Sequence, residues 1–359
     1  MSLTNSTQPS VTHPAAVEAF SRVPLIDGHN DLPWTSRETA NYSVEGLELD
    51  SHFNTDIDRL RRGGVGGQFW SVYSPAAPTE SESVQFTLEQ IDFVYRMLKR
   101  YPEAFELART GEDVRRIWRS GRIASLLGAE GGHSIGSSHA TLRMLARLGI
   151  RYMTLTHNSN NPWADSATDE PIHGGLSSFG HETVKVMNEL GVLVDLSHVS
   201  EATMKDAIET STSPVIFSHS ACQALCRHPR NVPDSILKTL PANGGVIMIA
   251  FVPAFLDEAY YEWDVKGRVG LRPSTTINHL IEHIEHARDV AGIDHIGLGS
   301  DYDGCDDFPD EMSDVSSFSV LIEKLAERGW SSDDLVKLMG ENVLRVLDQT
   351  SAHALSALD

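Results

Sequence analysis

Histidine and acidic side chains recur along the chain where short apolar segments end. His29 and Asp31 end the first of these segments, and because side chains alternate across a strand, the two share one face and can bind one cation together. A single histidine at such a position is more often a hydrogen-bonded structural residue than a ligand. Four histidines and three acids at six segment ends favour a metal site instead, the remaining candidates being Glu130, His157, His198, His219 and Asp301.

This set of ligands predicts which metal the protein binds and in what number. Neutral imidazole combined with carboxylate is typical of zinc or a similar divalent ion, and there are more ligands than one tetrahedral site needs. We therefore expect two divalent ions per chain, with Zn²⁺ favoured and the two oxygens of Glu130 bridging them. Two ions about 3.5–4 Å apart hold a hydroxide between them and polarise a substrate carbonyl, which is the arrangement of metal-assisted hydrolysis.

Eight short apolar segments, most of them rich in β-branched or aromatic residues, must position these side chains. Stretches of helical periodicity follow them, which predicts repeated strand-helix units. Eight such units favour an α/β fold of the (β/α)8 TIM barrel type, whose active site lies at the C-terminal ends of the strands. An open doubly wound sheet is the alternative, but no glycine-rich dinucleotide-binding pattern follows the first segment. The segments are 25–31, 64–73, 123–132, 152–158, 192–198, 214–220, 245–251 and 295–304.

The stretches between these segments predict the helices and the domain limits. We expect a flexible N-terminal arm over 1–20, a single hydrolase barrel over 21–350 and a short tail over 351–359. In one predicted helix, His279, His283 and His286 have a spacing that mimics a metal site, but an apolar stripe accompanies them, so we expect these histidines on its solvated flank. The predicted helices lie at about 83–100, 138–148, 178–190, 200–210, 233–241, 274–291, 314–328 and 332–348.

The composition argues against several classes of function. With 29 basic and 50 acidic residues, the 359-residue chain has a formal net charge of −21, which repels nucleic acid and anionic lipid. Three cysteines are an odd number and favour free thiols in a reducing compartment. Since neither a signal peptide nor a lipid-anchor signal is recognisable, we expect a cytoplasmic protein with no membrane anchor.

Seven ordered motifs between about Pro24 and Leu347 resemble those of the membrane, or renal, dipeptidase family of the amidohydrolase superfamily. That family consists of binuclear zinc (β/α)8 barrels that hydrolyse dipeptides with little side-chain selectivity, so the resemblance implies a metallodipeptidase. It is also compatible with a homodimer. The motifs are GHND (28–31), EGGHSI (130–135), LTHN with NPWAD (155–165), DLSHVS (195–200), FSHS (217–220), RNVPD (230–234) and GSDYDG (299–304).

The resemblance also implies a role for each metal ligand. It places one ion on His29 and Asp31 and the other on His198 and His219, with Glu130 as the bridge. The attacking group would be the hydroxide held between the two ions, so Glu130 counts among the catalytic residues.

Three further residues are assigned to substrate and chemistry by the same resemblance. His157 would contact the substrate carbonyl or the developing oxyanion, and Arg230 would bind the C-terminal carboxylate of the dipeptide. Asp301 would take the proton from the attacking water and deliver it to the leaving amine. A planar guanidinium suits a carboxylate, and an acidic protein needs such a local cation to bind an anionic substrate.

The sequence departs from the mammalian members of that family and leaves the substrate open. Ala76 and Ser159 stand where those secreted members carry a cysteine pair. Intracellular fungal members of the gliotoxin-cluster type remove glycine from Cys-Gly conjugates, which makes such conjugates an expected substrate class. The alternatives are an amidohydrolase acting on a lactam or an N-acyl amino acid, and a non-catalytic barrel that binds metal or peptide.

Overall fold

Nine parallel strands form the centre of the protein in a computed structural model that describes residues 9–49, 51–76 and 79–354. Every strand pair is parallel, as expected for segments whose two faces are both buried. The strands are β1 (Leu25–Asn30), β2 (Val65–Tyr73), β3 (Phe105–Leu107), β4 (Ile123–Glu130), β5 (Ile150–Thr154), β6 (Leu193–Asp195), β7 (Ile216–Ser220), β8 (Val246–Ile249) and β9 (Ile296–Leu298).

Eight of these strands close into a barrel. Strand β1 pairs with β2 on one side and with β9 on the other, and β2 pairs with β4, so the sheet has no open edge at this point. The predicted (β/α)8 barrel is thereby confirmed, and each of the eight predicted segments overlaps one of its strands. The ninth strand, β3, was not predicted; it pairs only with the first residues of β4, from Ile123 to Ser125.

Helices surround the barrel between successive strands. All the predicted helices are present, although the one at 233–241 is divided into two short helices and the one at 332–348 contains a π-helical turn over Lys337–Glu341. The helices are α1 (Pro14–Arg22), α2 (Leu32–Ala40), α3 (Ile57–Gly63), α4 (Glu80–Arg100), α5 (Gly111–Arg119), α6 (His139–Arg147), α7 (Ser178–Leu190), α8 (Glu201–Thr210), α9 (Asp234–Leu237), α10 (Leu240–Asn243), α11 (Pro253–Leu256), α12 (Glu258–Val265), α13 (Ile277–Ala291), α14 (Phe318–Glu327), α15 (Ser332–Val336) and α16 (Asn342–Ala354).

The N-terminal residues differ from the expected flexible arm. Helix α1 begins at Pro14 and packs against α14 and α15, and its Ala16 and Ala19 are fully buried. Just before it, the backbone N–H groups of Thr12 and His13 donate hydrogen bonds to the Glu323 carboxylate. The second half of the expected arm thus contains a helix and contacts Glu323, while residues 1–8 lie outside the described residues.

The histidines of helix α13 also differ from the expectation. His283 is buried, its Nδ1 accepts the N–H of Cys222 at 3.0 Å, and its Nε2 lies 3.1 Å from the carbonyl oxygen of Leu256. It belongs to the core and not to the solvated flank, because both ring nitrogens find backbone partners there. His286, by contrast, is partly exposed and pairs with Asp234 at 2.8 Å.

Across the described part of the chain, none of the helices combines the length and the hydropathy needed to cross a membrane.

Candidate metal centre

The C-terminal ends of the strands bring the predicted ligands together around Glu130. This residue ends β4, and its side chain is almost fully buried between two groups of imidazoles. Its Oε2 lies 3.4 Å from Nε2 of His29, whereas its Oε1 lies 3.0 Å from Nε2 of His198 and 3.4 Å from Nε2 of His219. The two carboxylate oxygens therefore face two different sets of candidate ligands.

The first set contains His29 and Asp31. His29 is fully buried, and its Nε2 lies 3.1 Å from Oδ2 of Asp31, yet this nitrogen makes no hydrogen bond of acceptable geometry within the described residues. Asp301 Oδ1 lies 3.9 Å from the same nitrogen. A nitrogen lone pair and carboxylate oxygens that converge without hydrogen-bond alignment suit a shared divalent cation.

The second set contains His198 and His219. Their Nε2 atoms lie only 3.0 Å apart, while Nδ1 of His198 faces the side-chain oxygen of Asn158 at 3.1 Å. An amide oxygen only accepts, so the proton of His198 lies on Nδ1 and its Nε2 lone pair points into the cluster. Nε2 of His219 and the Nε2 lone pair of His198 thus converge with Oε1 of Glu130, and this donor set fits a metal.

The outer ring nitrogens of the other two imidazoles are also hydrogen-bonded. Nδ1 of His29 contacts the hydroxyl of Tyr152, and Nδ1 of His219 contacts Oγ of Ser218, both at 2.8 Å. Such outer partners fix the ring orientation and the tautomer of a metal-ligating histidine. This role of Tyr152, Ser218 and Asn158 was not predicted from the sequence, although each of them lies within one of the predicted segments or motifs.

Neighbouring groups stabilise the negative charge of Glu130. In the metal-free protein, burial would raise the pKa of this carboxyl, but the positive charge of the neighbouring His29 brings the pKa well below its ordinary value. The hydroxyl of Ser71 on β2 donates a further hydrogen bond of 3.0 Å to Oε2. Glu130 is consequently an ionised acceptor at neutral pH, as a bridging ligand must be.

Two of the site residues have an unusual backbone conformation. His198 and Asp301 lie three residues beyond the ends of β6 and β9, with φ angles of 71° and 67°. Left-handed backbone is uncommon for residues with a side chain and is found disproportionately at functional sites. The strained turn aims each side chain inward after its strand has ended.

His157 and Asp301 lie beside the cluster with altered acidity. Nε2 of His157 is 3.7 Å from Oε1 of Glu130, and burial lowers the pKa of this histidine to about 4. His157 is thus neutral at physiological pH. In the absence of a cation, burial raises the pKa of Asp301 to about 8, although the neighbouring His29 lowers it.

Arg230 supplies a buried cation next to the cluster. The residue is 3% exposed, its Nη2 donates to the carbonyl oxygen of His219 at 3.4 Å, and its Nη1 has no hydrogen-bond partner within the described residues. Burial lowers the pKa of Arg230 to about 10, so that it stays charged at neutral pH. The ring of Phe255 lies 5.3 Å from the guanidinium carbon.

A cavity of about 830 Å³ opens above these groups. Six of the predicted site residues line it directly, and His29 and His219 lie beneath it in contact with Glu130. Its apolar wall includes Trp34, Tyr73, Val252 and Phe255. The last three of these were not singled out from the sequence. The structure therefore brings all eight predicted site residues to one place.

Comparison with known proteins identifies the family. Residues 15–357 match the family model described as membrane dipeptidase, peptidase family M19. The chain is also 42% identical over 346 residues to the dipeptidase verJ of Clonostachys rogersoniana, covering 93% of this chain and 86% of that protein. The resemblance of the motifs to the dipeptidase family is thereby confirmed.

Two solved structures share the fold. The probable dipeptidase PvdM from Pseudomonas aeruginosa superimposes with a TM-score of 0.86 at 24% identity, covering 94% of this chain and 98% of the other. A metallo peptidase from Rhodobacter sphaeroides, liganded with a phosphinate mimic of the dipeptide L-Ala-D-Ala, has a TM-score of 0.82 at 24% identity, covering 91% and 99%. The chain belongs to the membrane dipeptidase family, peptidase family M19, and is a metallodipeptidase that hydrolyses peptide bonds.

Proposed function

We propose that this enzyme hydrolyses dipeptides that carry a free C-terminal carboxylate, at a centre of two divalent ions, with Zn²⁺ favoured. The observation that carries the proposal is the position of Glu130, whose Oε2 faces His29 while its Oε1 faces His198 and His219. His29 and Asp31 would hold one ion, His198 and His219 the other, and Glu130 both. When bound, such a pair lowers the pKa of a coordinated water and polarises the substrate carbonyl.

Asp301 is the proposed proton carrier. Its carboxylate would accept a proton from the attacking water and pass it to the nitrogen of the breaking C–N bond, so that a carboxylic acid and an amine leave. The position of Asp301 supports this role, because its Oδ1 lies 3.9 Å from Nε2 of His29 and its side chain lines the cavity. A positioned acid of this kind contributes about 10²- to 10⁴-fold to the rate.

His157 is the proposed hydrogen-bond donor to the substrate carbonyl oxygen. Burial keeps its imidazole neutral, with a pKa of about 4, so that it donates through an N–H group without first losing a charge. A neutral imidazole in this position stabilises the negative charge that develops on the carbonyl oxygen.

Arg230 is the proposed site for the substrate carboxylate. A buried guanidinium with an unpartnered Nη1 at the wall of the cavity is costly unless an anion completes its hydrogen bonds. A dipeptide carboxylate would meet this need and would fix the distance between the C-terminus and the scissile bond.

The size of the cavity supports substrates larger than simple dipeptides. A volume of about 830 Å³ lies in the range of sites that enclose drug-sized ligands. We therefore propose Cys-Gly conjugates, which carry a substituent on sulfur, as a substrate class. The apolar wall formed by Trp34, Tyr73 and Phe255 would accommodate that substituent.

A reducing compartment such as the cytoplasm is part of the proposal. Cys222, Cys226 and Cys305 are all free thiols, and the first two are buried. Burial raises the pKa of Cys226 to about 11, which keeps that thiol protonated and unreactive.

A substrate panel with the metal-loaded enzyme tests the proposed function. The panel comprises simple dipeptides, S-substituted Cys-Gly, the C-terminal amide of one dipeptide, an N-acetyl amino acid and a β-lactam. We expect rapid cleavage of the dipeptides and of the conjugate, with the amide much poorer. Preference for the lactam or the N-acyl compound would replace the proposal with the alternative amidohydrolase activity, and absence of any turnover would favour a binding barrel.

A further inference from the structure

The three imidazoles proposed as metal ligands differ in the groups that their Nδ1 atoms contact. Nδ1 of His29 contacts the phenol hydroxyl of Tyr152, and Nδ1 of His198 faces the amide oxygen of Asn158. Nδ1 of His219 contacts the hydroxyl of Ser218, which in turn donates a 2.6 Å hydrogen bond to Oδ2 of Asp195. In this third case alone of the three, the chain of hydrogen bonds continues to a carboxylate.

Asp195 ends β6 and is fully buried. Its Oδ1 accepts the backbone N–H groups of Ser197 at 3.1 Å and of Ser218 at 2.8 Å. Its Oδ2 accepts the hydroxyls of Ser218 and of Thr154, the latter at 2.5 Å. These four donors are all neutral, so hydrogen bonds alone stabilise the buried negative charge. Ser218 links this charge to His219.

We propose that Asp195 is a positioning residue that acts through Ser218 to hold His219 as the strongest nitrogen ligand of the metal centre. This inference rests on the proposed binuclear function. A carboxylate can only accept, so Ser218 must donate its hydroxyl proton to Asp195 and accept the Nδ1–H of His219. The proton of His219 is thereby fixed on Nδ1, the Nε2 lone pair faces the metal, and the negative charge at the end of the chain makes the imidazole more basic.

The direction of this chain of hydrogen bonds gives a sharp expectation for Asp195→Asn. The amide oxygen would stay with the two backbone N–H donors of Ser197 and Ser218, which places the NH2 group against the Ser218 hydroxyl. Ser218 would then accept from the amide and donate to Nδ1 of His219. The proton of His219 would move to Nε2, where it blocks metal binding. Ser218→Ala, in contrast, interrupts the chain without reversing it.

Asp27 offers a matched control. It is also a fully buried carboxylate on a barrel strand, and it accepts Ser300 Oγ at 2.7 Å, Gln68 Nε2 at 2.9 Å and the backbone N–H of Ser300 at 2.7 Å. Within the described part of the chain, its hydrogen bonds involve no imidazole ring nitrogen; the contact with His29 is to the backbone N–H. Asp27→Asn therefore removes a comparable buried charge without touching a ligand side chain.

The test is a Zn²⁺ titration of the metal-stripped full chain in competition with a chromophoric chelator. For the wild type we expect two binding events. Asp195→Asn should weaken one of them by about 10- to 100-fold and leave the other near its wild-type value, and Ser218→Ala should weaken the same event to a smaller extent. Asp27→Asn should leave both events near wild type. In nitrogen-resolved NMR spectra, one histidine ring should change tautomer in Asp195→Asn alone.

Several results would overturn the inference while leaving the proposed function intact. One is wild-type affinity for both ions in Asp195→Asn and Ser218→Ala, and another is an equal loss at both sites that Asp27→Asn reproduces. If Asp195→Asn does not fold, Ser218→Ala and its single-site loss decide the question. A wild-type chain that binds fewer than two ions would overturn the proposed binuclear function itself, and the inference with it.

Discussion

Arg230 and Asp301 line the same cavity but can contribute to a reaction in different ways. Arg230 keeps its proton at neutral pH, because burial lowers its pKa only to about 10. It can therefore bind an anion but cannot exchange a proton during turnover. Asp301 is a carboxyl whose pKa responds strongly to its surroundings, which suits a group that accepts and releases a proton.

Replacement of Arg230 by alanine should impair binding more than chemistry. Charge-assisted hydrogen bonds contribute about 1.5–3 kcal/mol, so kcat/KM for a dipeptide should fall about 10- to 150-fold, chiefly through KM. The preference for a free C-terminus over its amide should disappear. Arg227→Ala is a matched control, because that arginine lies nearby in sequence, is 75% exposed and pairs with Glu258. An unchanged preference for the free acid in Arg230→Ala would refute the assignment.

Replacement of Asp301 by asparagine should impair chemistry more than binding. We expect kcat to fall by about 10²- to 10⁴-fold, because the amide cannot carry the proton. KM and the measured metal content should stay close to wild type. Asp306→Asn, at an exposed carboxylate that also lines the cavity, should have little effect on either parameter. A kcat near wild type in Asp301→Asn would show that another group moves the proton.

At the scale of strands and helices, the apolar pattern predicted where the strands are but not where they end. The predicted segments 192–198 and 295–304 contain strands of only three residues, Leu193–Asp195 and Ile296–Leu298. Apolar patterning indicates which residues are buried. The residues after each short strand remain buried, but their backbone no longer pairs with the neighbouring strands. His198 and Asp301 lie in these continuations, where positive φ angles turn their side chains toward the site.

Contacts between distant parts of the chain explain what the sequence could not show. Seven of the eight site residues were recognisable because each lies near the end of an apolar segment, and Arg230 was recognisable because it lies in the RNVPD motif; both kinds of information are local. The partner of His219 is Ser218, its neighbour, but the carboxylate behind it belongs to another strand. His283 was misassigned for the same reason, since its partners, Cys222 and Leu256, are far away in sequence.

The close approach of strands beneath the site gives a prediction at this scale. A Cβ atom added at Gly299 would lie 1.8 Å from the carbonyl oxygen of Ser218, a backbone atom that cannot move freely. Gly299→Ala should therefore lower the free energy of unfolding by about 1–3 kcal/mol or more in chemical denaturation. Gly67→Ala is the control, because the nearest atom there is a side-chain carbon of Ile26 at 3.1 Å. Equal stability of the two variants would contradict this account of the packing.

At the scale of the whole molecule, buried carboxyls couple the stability of the metal-free protein to pH. Burial raises the pKa of Asp301 to about 8 and that of Asp303 to about 7. The folded state therefore binds protons that the unfolded chain releases, and its stability falls as pH rises toward these values. Burial lowers the pKa values of His157, His198 and His219, which has the opposite effect only below the ordinary histidine pKa of about 6.5.

We accordingly expect the Tm of the metal-free protein to fall as pH rises from about 6.5 to 8.5. Zn²⁺ should raise Tm most at the upper end of this range, because the bound cations replace the lost protons. Thermal unfolding at several pH values, with and without Zn²⁺, measures both effects, and Asp301→Asn should flatten the pH dependence of the metal-free protein. A Tm that rises over this range without metal would contradict the expected sign.

The most direct test of the account is the number of metal ions that turnover requires. Metal-stripped enzyme is titrated with Zn²⁺ while dipeptide hydrolysis and bound metal are both measured. Because the two oxygens of Glu130 face separate sets of candidate ligands, we expect activity to reach its maximum only when two ions are bound per chain. Full activity with a single bound ion, or hydrolysis by the metal-stripped protein, would contradict the binuclear mechanism.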